Sequence, residues 1–178
     1  MLRISGGYLK GYQIHTKNKK VKPTSDLVRQ AIFNSIDVTS SDFLDMFAGT
    51  GAVGIEAISR NAKFVCFVDN NFQLIQQIKS NLTSLKVDPE KYMVIHSTWE
   101  KGIKLLENKN KKFDIIFLDP FYSFNEYNKL LILIPKILKE SGVIILEHSS
   151  RVEIDPPQEL KIISSKTYGE TTIKFFTL

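Results

Sequence analysis

The stretch Phe43-Leu44-Asp45-Met46-Phe47-Ala48-Gly49-Thr50-Gly51-Ala52-Val53-Gly54 decides the fold. Phe43 to Phe47 is a short apolar run of the kind a buried strand requires, and a helix is predicted from about Val53 to Asn61. Between them lies Gly-x-Gly-x-x-Gly. Glycines there let the turn be tight and let a ligand reach the backbone with no Cβ in the way. Alone, the motif fits a dinucleotide, an adenosyl cofactor or a bare strand-to-helix turn.

The same alternation continues along the chain. Strands are expected at Phe64–Val68, Tyr92–His96, Phe113–Leu118 and Val143–Glu147. Helices are expected at Phe72–Leu85, Trp99–Glu107 and Phe124–Lys139, the last with a possible kink at Pro135. Such alternation means a parallel sheet covered on both faces. After Pro156-Pro157, Leu160–Ser165 and Thr171–Thr177 read as two strands with too short a link for a crossover, so they pair antiparallel. Upstream, residues 1–20 read as a strand pair turning at Gly6-Gly7 and Gly11, and Ser25–Ile36 as a helix capped by Thr24 or Ser25. The expectation is one α/β domain with a mostly parallel, seven-stranded, Rossmann-like sheet. Residues 1–22 would form a basic hairpin extension and residues 23–178 the core.

Composition is consistent with this. The chain has 178 residues, 43% hydrophobic and 24% charged, enough for one core. The single cysteine, Cys66, lies in the apolar run Phe64–Val68 and reads as a core residue of a cytoplasmic protein. The longest apolar run, Leu130–Ile134, is five residues, and no signal peptide is evident, so no membrane partner is expected. Net charge is +5, and Arg3, Lys10, Lys17, Lys19 and Lys20 precede Lys22 with no acid among them. A one-sided basic segment suits a polyanion such as RNA or DNA, or simply a solvated surface.

In doubly wound sheets, ligands sit at the carboxyl ends of the strands. Asp45, Asp69 and Asp119 all fall near such ends. Asp69 lies 18 residues after Gly51, where a carboxylate can accept hydrogen bonds from both ribose hydroxyls of an adenosine. Asp45 discriminates further. It would repel a pyrophosphate but suits the cationic amino-acid end of S-adenosylmethionine.

A second motif, Asp119-Pro120-Phe121-Tyr122, follows the strand Phe113–Leu118. Methylating an exocyclic amine requires freeing its lone pair from conjugation. Asp119 can accept one N–H and the Pro120 carbonyl the other, while Tyr122 or Phe121 stacks on the ring that bears the amine. Transfer is then an in-line displacement at a sulfonium methyl, accelerated by positioning and by a carboxylate facing the growing positive charge.

On these residues the chain resembles the RsmD family of bacterial 16S rRNA guanine-N2 methyltransferases nearly end to end. Arg3-Ile4-Ser5-Gly6-Gly7 with Lys10-Gly11 is similar to the family's opening hairpin. Lys22-Pro23-Thr24-Ser25-Asp26-Leu27-Val28-Arg29 resembles its segment that helps enclose the cofactor, and Leu44–Glu56 its cofactor loop. Glu147-His148 and Tyr168-Gly169-Glu170-Thr171 resemble later landmarks. Three positions depart: Lys22 replaces an arginine, Phe121 a second proline, and Ser97 an acid that reads adenine. The resemblance implies S-adenosylmethionine as cofactor and a guanine of 16S rRNA, free or in a small-subunit assembly intermediate, as target.

The cofactor residues would be Thr24, Asp45, Phe47, Ala48, Gly49, Thr50, Gly51, Asp69, Asn70, Ser97, Thr98 and Asp119. Asp119, Pro120 and Tyr122 would be catalytic. Arg3, Lys10, Lys19, Lys20, Phe121 and Tyr122 would hold RNA. No metal is expected, since His15, His96 and His148 lack ligand spacing, and a monomer is expected. Trp99 is open between stacking on adenine and the core. Rivals are methylation of DNA adenine or a protein amide, a silent RNA-binding protein on this fold, and a dinucleotide oxidoreductase disfavoured by Asp45.

Overall fold

The computed structural model describes residues 2–16 and 25–178. A seven-stranded sheet runs in the order β5-β4-β3-β6-β7-β9-β8. Its strands are β3 (Asp42–Met46), β4 (Phe64–Asp69), β5 (Tyr92–His96), β6 (Phe113–Leu118), β7 (Leu138–Ser149), β8 (Lys161–Tyr168) and β9 (Thr171–Thr177). The first five are parallel, and β9 lies antiparallel between β7 and β8. A separate pair, β1 (Leu2–Arg3) and β2 (Gln13–Ile14), forms the amino-terminal hairpin.

Alternate residues of the central strands serve two cores. Phe43, Phe67 and Phe117 face a layer holding α1 (Asp26–Ser35), α2 (Ala52–Ser59) and α3 (Phe72–Ser84). Leu44, Met46, Cys66, Val68 and Ile116 face α4 (Trp99–Asn108) and α5 (Tyr127–Leu133). With both faces covered, β3 and β4 read as continuous apolar runs.

Local chemistry sets the helix starts. Ser25 accepts Val28 N–H at 3.2 Å, Asn71 accepts Gln73 N–H at 2.9 Å, and Thr98 accepts Lys101 N–H at 3.5 Å. Helix α2 has Gly51 at its cap position and no cap from that residue's side chain. The carboxylate of Asp45, from the preceding strand, accepts Gly54 N–H at 2.8 Å instead.

One expected element differs. The helix predicted over Phe124–Lys139 is α5 from Tyr127 to Leu133, then a 3-10 turn at Ile134–Ile137, and by Leu138 the chain has entered β7. Pro135 stands at the start of that turn, where its missing N–H costs nothing. Leu138 pairs with Phe113, and the register shifts before Ile115 pairs with Val143. The polar stretch Lys139-Glu140-Ser141 hid this first part of β7 from a reading based on apolar alternation.

The hairpin is docked on the carboxyl-terminal end of α2. Tyr8 N–H donates to Ser59 O at 2.8 Å, Leu9 N–H to Ser59 Oγ at 2.9 Å, and Ser59 Oγ to Gly6 O at 2.5 Å. A Cβ on Gly7 would lie 1.8 Å from Ser59 O, so a side chain there would push the hairpin off the helix.

Candidate active site

The first connection from β3 leads to β4 on one side, and β6 then pairs with β3 on the other, so the sheet order reverses at β3. A cleft of about 1000 Å³ opens there, at the carboxyl ends of the parallel strands. Its walls include Asp45, Phe47, Ala48, Gly49, Thr50, Asp69, Asn70, Ser97, Asp119, Pro120, Phe121 and Tyr122, bringing together most of the residues expected from sequence.

Two carboxylates bracket the glycine loop. Asp45 holds Gly54 N–H at its far end, and Asp69 Oδ2 accepts Gly49 N–H at 2.8 Å at its near end. Asp69 Oδ1 accepts Asn71 N–H at 2.8 Å. Ala48 N–H donates to Val68 O at 2.9 Å, and Gly51 N–H to Ala48 O at 2.7 Å. Phe47, Gly49 and Gly51 all have positive φ. At Gly54 the requirement is space, because a Cβ would sit 2.2 Å from the buried Phe67 ring.

The cleft is electrostatically poised for a cation. Burial pushes the Asp45 carboxyl well above the ordinary carboxylate range, with the Gly54 amide opposing and the Asp119 and Asp69 charges reinforcing the rise. Asp69 is also raised by burial, against the amides of Asn71, Gly49 and Asn70. Asp119 helps raise the Tyr127 hydroxyl, whose main cause is again burial. Asp45, Asp69 and Asp119 thus converge on one space, whose walls also carry Glu147 and Glu170. Among the described residues, no group of three or more His, Cys, Asp or Glu side chains is arranged to hold a metal ion.

The Asp119 loop rests on an aromatic cluster. Phe124 N–H donates to Phe121 O at 2.8 Å and closes the turn. The buried Phe124 ring packs edge-on against Phe47, Trp99, Phe121 and Tyr127, with centroids 5.0–6.0 Å apart. Trp99 is therefore largely a core residue that shows one edge to the cleft. Tyr122 is 86% exposed and Phe121 57%, leaving both rings at the mouth. Pro120 beneath them is buried.

Some expected residues sit elsewhere. Thr98 spends its hydroxyl on the α4 cap and Gly51 its backbone on the loop; neither lines the cleft. Arg3 and Lys10 lie on the hairpin, at the other end of α2 from the glycine loop. Eight helical residues make that separation roughly 12 Å. Thr24, Lys19 and Lys20 lie outside the described residues.

Other residues outside the expected site set also line the cleft. Ser25, Leu27 and Val28 from the start of α1, Tyr127 from α5, and Glu147, His148 and Ser149 from the end of β7 all line the cleft. So does the turn Tyr168–Thr171, because antiparallel β9 carries it back to the same sheet edge, where Thr171 pairs with Ser149. The end of β7 was signalled by the strand-end rule. The start of α1 was signalled by the resemblance of Lys22–Arg29 to the segment that encloses the cofactor, whereas Tyr127 required knowledge of which helix flanks the switch point.

His148 is buried against Tyr127, with ring centroids 6.3 Å apart, and its Nδ1 lies 2.9 Å from Ser149 O. That contact requires a proton on Nδ1. Burial, with the nearby Lys174 charge, holds its pKa below the usual histidine value.

Comparison with known proteins agrees with the geometry. The family model described as Conserved hypothetical protein 95 matches residues 2–177. The ribosomal RNA small subunit methyltransferase D of Haemophilus influenzae is 31% identical over 180 residues, covering 98% of this chain and 93% of that one. The solved structure of Escherichia coli yhhF superposes with a TM-score of 0.83 at 25% identity, covering 98% of this chain and 96% of that one. A more distant chain, SMU.776, solved with SAH, has a TM-score of 0.73 at 16% identity, covers 85% of this chain and 48% of that one, and speaks to the fold alone. The chain belongs to the RsmD family.

Proposed function

We propose that this chain transfers a methyl group from S-adenosylmethionine to the exocyclic N2 amine of a guanine in 16S rRNA. One observation carries the reading furthest: Asp45, Asp69 and Asp119 converge on a cleft beside an acid-Pro-aromatic loop. A sulfonium and ammonium ligand would bring positive charge to this acidic space. The small-subunit rRNA methyltransferase named among the relatives supports ribosomal RNA as the target.

The glycine loop would pass beneath the cofactor, with Asp69 and Asn70 at the ribose, Asp45 toward the amino-acid end, and Ser97 near the adenine. When bound, the cofactor supplies an electrophilic methyl group. Asp119 would accept one N–H of the target amine and the Pro120 carbonyl the other, directing the nitrogen lone pair at that methyl. Asp119 would face the positive charge that grows on nitrogen and would be placed to take the proton the amine then gives up. Tyr122 and Phe121, exposed at the mouth, would stack on a base turned out of its strand. Lys10, Lys19, Lys20 and Arg3 would hold RNA phosphates.

The test is methyl transfer from labelled S-adenosylmethionine to 16S rRNA or small-subunit particles, followed by mass spectrometry of the nucleosides. N2-methylguanosine is expected. Asp119→Ala should abolish transfer while S-adenosylhomocysteine still binds. Label on adenine N6 or on protein would displace guanine as the target.

A further inference from the structure

The hairpin poses a geometric question. Its cations lie at the far end of α2 from the glycine loop, a helix of roughly 12 Å, and no hairpin residue among those described lines the cleft. They would meet RNA beside the cleft rather than within it.

Its surface has the composition of a single-strand platform. Tyr8 is 53% exposed and Tyr12 56%, two of the larger exposed apolar side chains among the described residues. They flank Lys10, which is exposed in the turn. The Arg3 guanidinium folds over the same turn, with Nη1 donating to Gly11 O at 3.3 Å. Residues 2–16 contain no acidic residue. Glu56, which bonds to Ser5, is fully buried and neutralised by Arg29 and Arg60, at 3.0 Å each, and the exposed Asp26 beside Arg3 is paired with Arg29 at 2.8 Å.

The platform is also rigid. Besides its bonds to Ser59, Ser5 N–H and Oγ–H both donate to Glu56, at 3.0 and 2.5 Å. Exposed aromatic rings between cations on a fixed backbone suit unpaired bases, since every base has a face to stack and phosphates follow it. A double helix keeps its faces stacked and would meet only the cations.

We propose that the hairpin is a second RNA site, apart from the cleft, where Tyr8 and Tyr12 stack on unpaired bases while Arg3 and Lys10 hold the adjoining phosphates. The proposal rests on RNA being the substrate. It divides the labour: the cleft takes the target base, and the hairpin takes single-stranded nucleotides flanking it.

The experiment is fluorescence anisotropy of the full chain with a labelled RNA stem-loop bearing an unpaired loop, across a salt series. Tyr8→Ala with Tyr12→Ala should weaken binding about tenfold or more and leave the salt slope unchanged. Tyr8→Phe with Tyr12→Phe should retain most of the affinity, because the ring does the stacking. Arg3→Gln with Lys10→Gln should flatten the salt slope. A loop of abasic nucleotides should bind the wild type and the double alanine variant alike. Equal binding of wild type and double alanine variant to the normal loop overturns the proposal, as does an equal tyrosine effect on the abasic loop. If the wild type binds S-adenosylhomocysteine but no RNA, the platform and the ribosomal RNA target fail together. If RNA binding behaves as expected while methyl transfer to rRNA is absent, the platform stands and the methylation reading fails.

Discussion

Arg29 Nε donates to Glu56 Oε2 at 3.0 Å, and both side chains are sealed from water. The pair joins three parts of the molecule. Arg29 Nη2 also donates to Arg3 O in the hairpin at 2.5 Å and to Asp26 Oδ1 at 2.8 Å, and Glu56 takes Ser5 and Arg60 besides. Because α1 supplies Ser25, Leu27 and Val28 to the cleft and α2 begins at the glycine loop, the pair fixes the angle between two walls of the site.

Breaking it should be costly. Glu56→Gln removes the buried counter-charge of the Arg29 guanidinium and leaves it only the exposed carboxylate of Asp26, a change that costs about 3–5 kcal/mol. Asp26→Asn, whose side chain is 61% exposed, should cost about 1 kcal/mol or less. Urea unfolding followed by the fluorescence of Trp99 measures both. Equal losses for the two variants would show that burial of the pair does not govern its strength.

Gly54 should not tolerate alanine. The added Cβ meets the Phe67 ring at 2.2 Å, and Phe67 is fully buried with no room to turn aside. A loss of about 1–3 kcal/mol is expected, with weaker S-adenosylhomocysteine binding because Gly54 N–H is where Asp45 grips the loop. Calorimetry on the purified variant checks the second effect. Unchanged stability and affinity would mean that helix and strand are less tightly packed than the distance indicates.

The acidic cleft predicts a pH dependence. Asp45 and Asp69 have pKa values raised above the ordinary 3.8 in the folded, ligand-free chain. From 3.8 upward, the folded state therefore holds protons that the unfolded state has lost, and these two groups make the free chain less stable as pH rises through that range. A cationic ligand favours the ionised carboxylates. Its binding should release protons over the same range and tighten as pH rises. Calorimetry of S-adenosylmethionine, which carries the sulfonium charge, in buffers of different ionisation enthalpy reads the released protons. Proton uptake, or none, would remove the carboxylates from the ligand's surroundings.

His148 works in the opposite sense. Its folded pKa lies below 6.5, so above 6.5 both states are neutral and its stabilising contribution is complete. As pH falls from 6.5 toward the depressed folded value, the unfolded chain takes up a proton first and stability is lost. His148→Gln should flatten this part of the stability curve while leaving the carboxylate part intact. An unchanged curve between wild type and variant would assign the acid sensitivity elsewhere.

The strand order around the glycine loop was readable because β3 and β4 are buried on both faces and announce themselves as apolar runs. Asp45, Asp69 and Asp119 were readable because strand ends in such sheets point at ligands. What sequence could not supply was the division of duties within a residue. Asp45 and Asp69 were expected to face a cofactor, and each also holds a loop amide. Thr98 was expected there too, and caps a helix instead. A hydroxyl next to a strand end serves either purpose, and only the direction of the next helix decides. The start of β7 was lost for a related reason: Lys139 and Glu140 carry no apolar alternation, and Lys139 is committed to Asp42 and Asp114, at 2.7 and 2.8 Å, across the amino-terminal end of the sheet.

The placement of β9 between β7 and β8 bears on how the molecule assembles. Strand β8 emerges first in the chain, yet among the described residues its only sheet neighbour is β9. It has nowhere to add until the later strand is in place. Strand β9 also brings Ile173 and Phe175 to one core and Phe176 to the other. Without it, β7 would present an unpaired edge and the turn Tyr168–Thr171 would be missing from the cleft. The sheet edge and one wall of the cleft are therefore closed by the same strand.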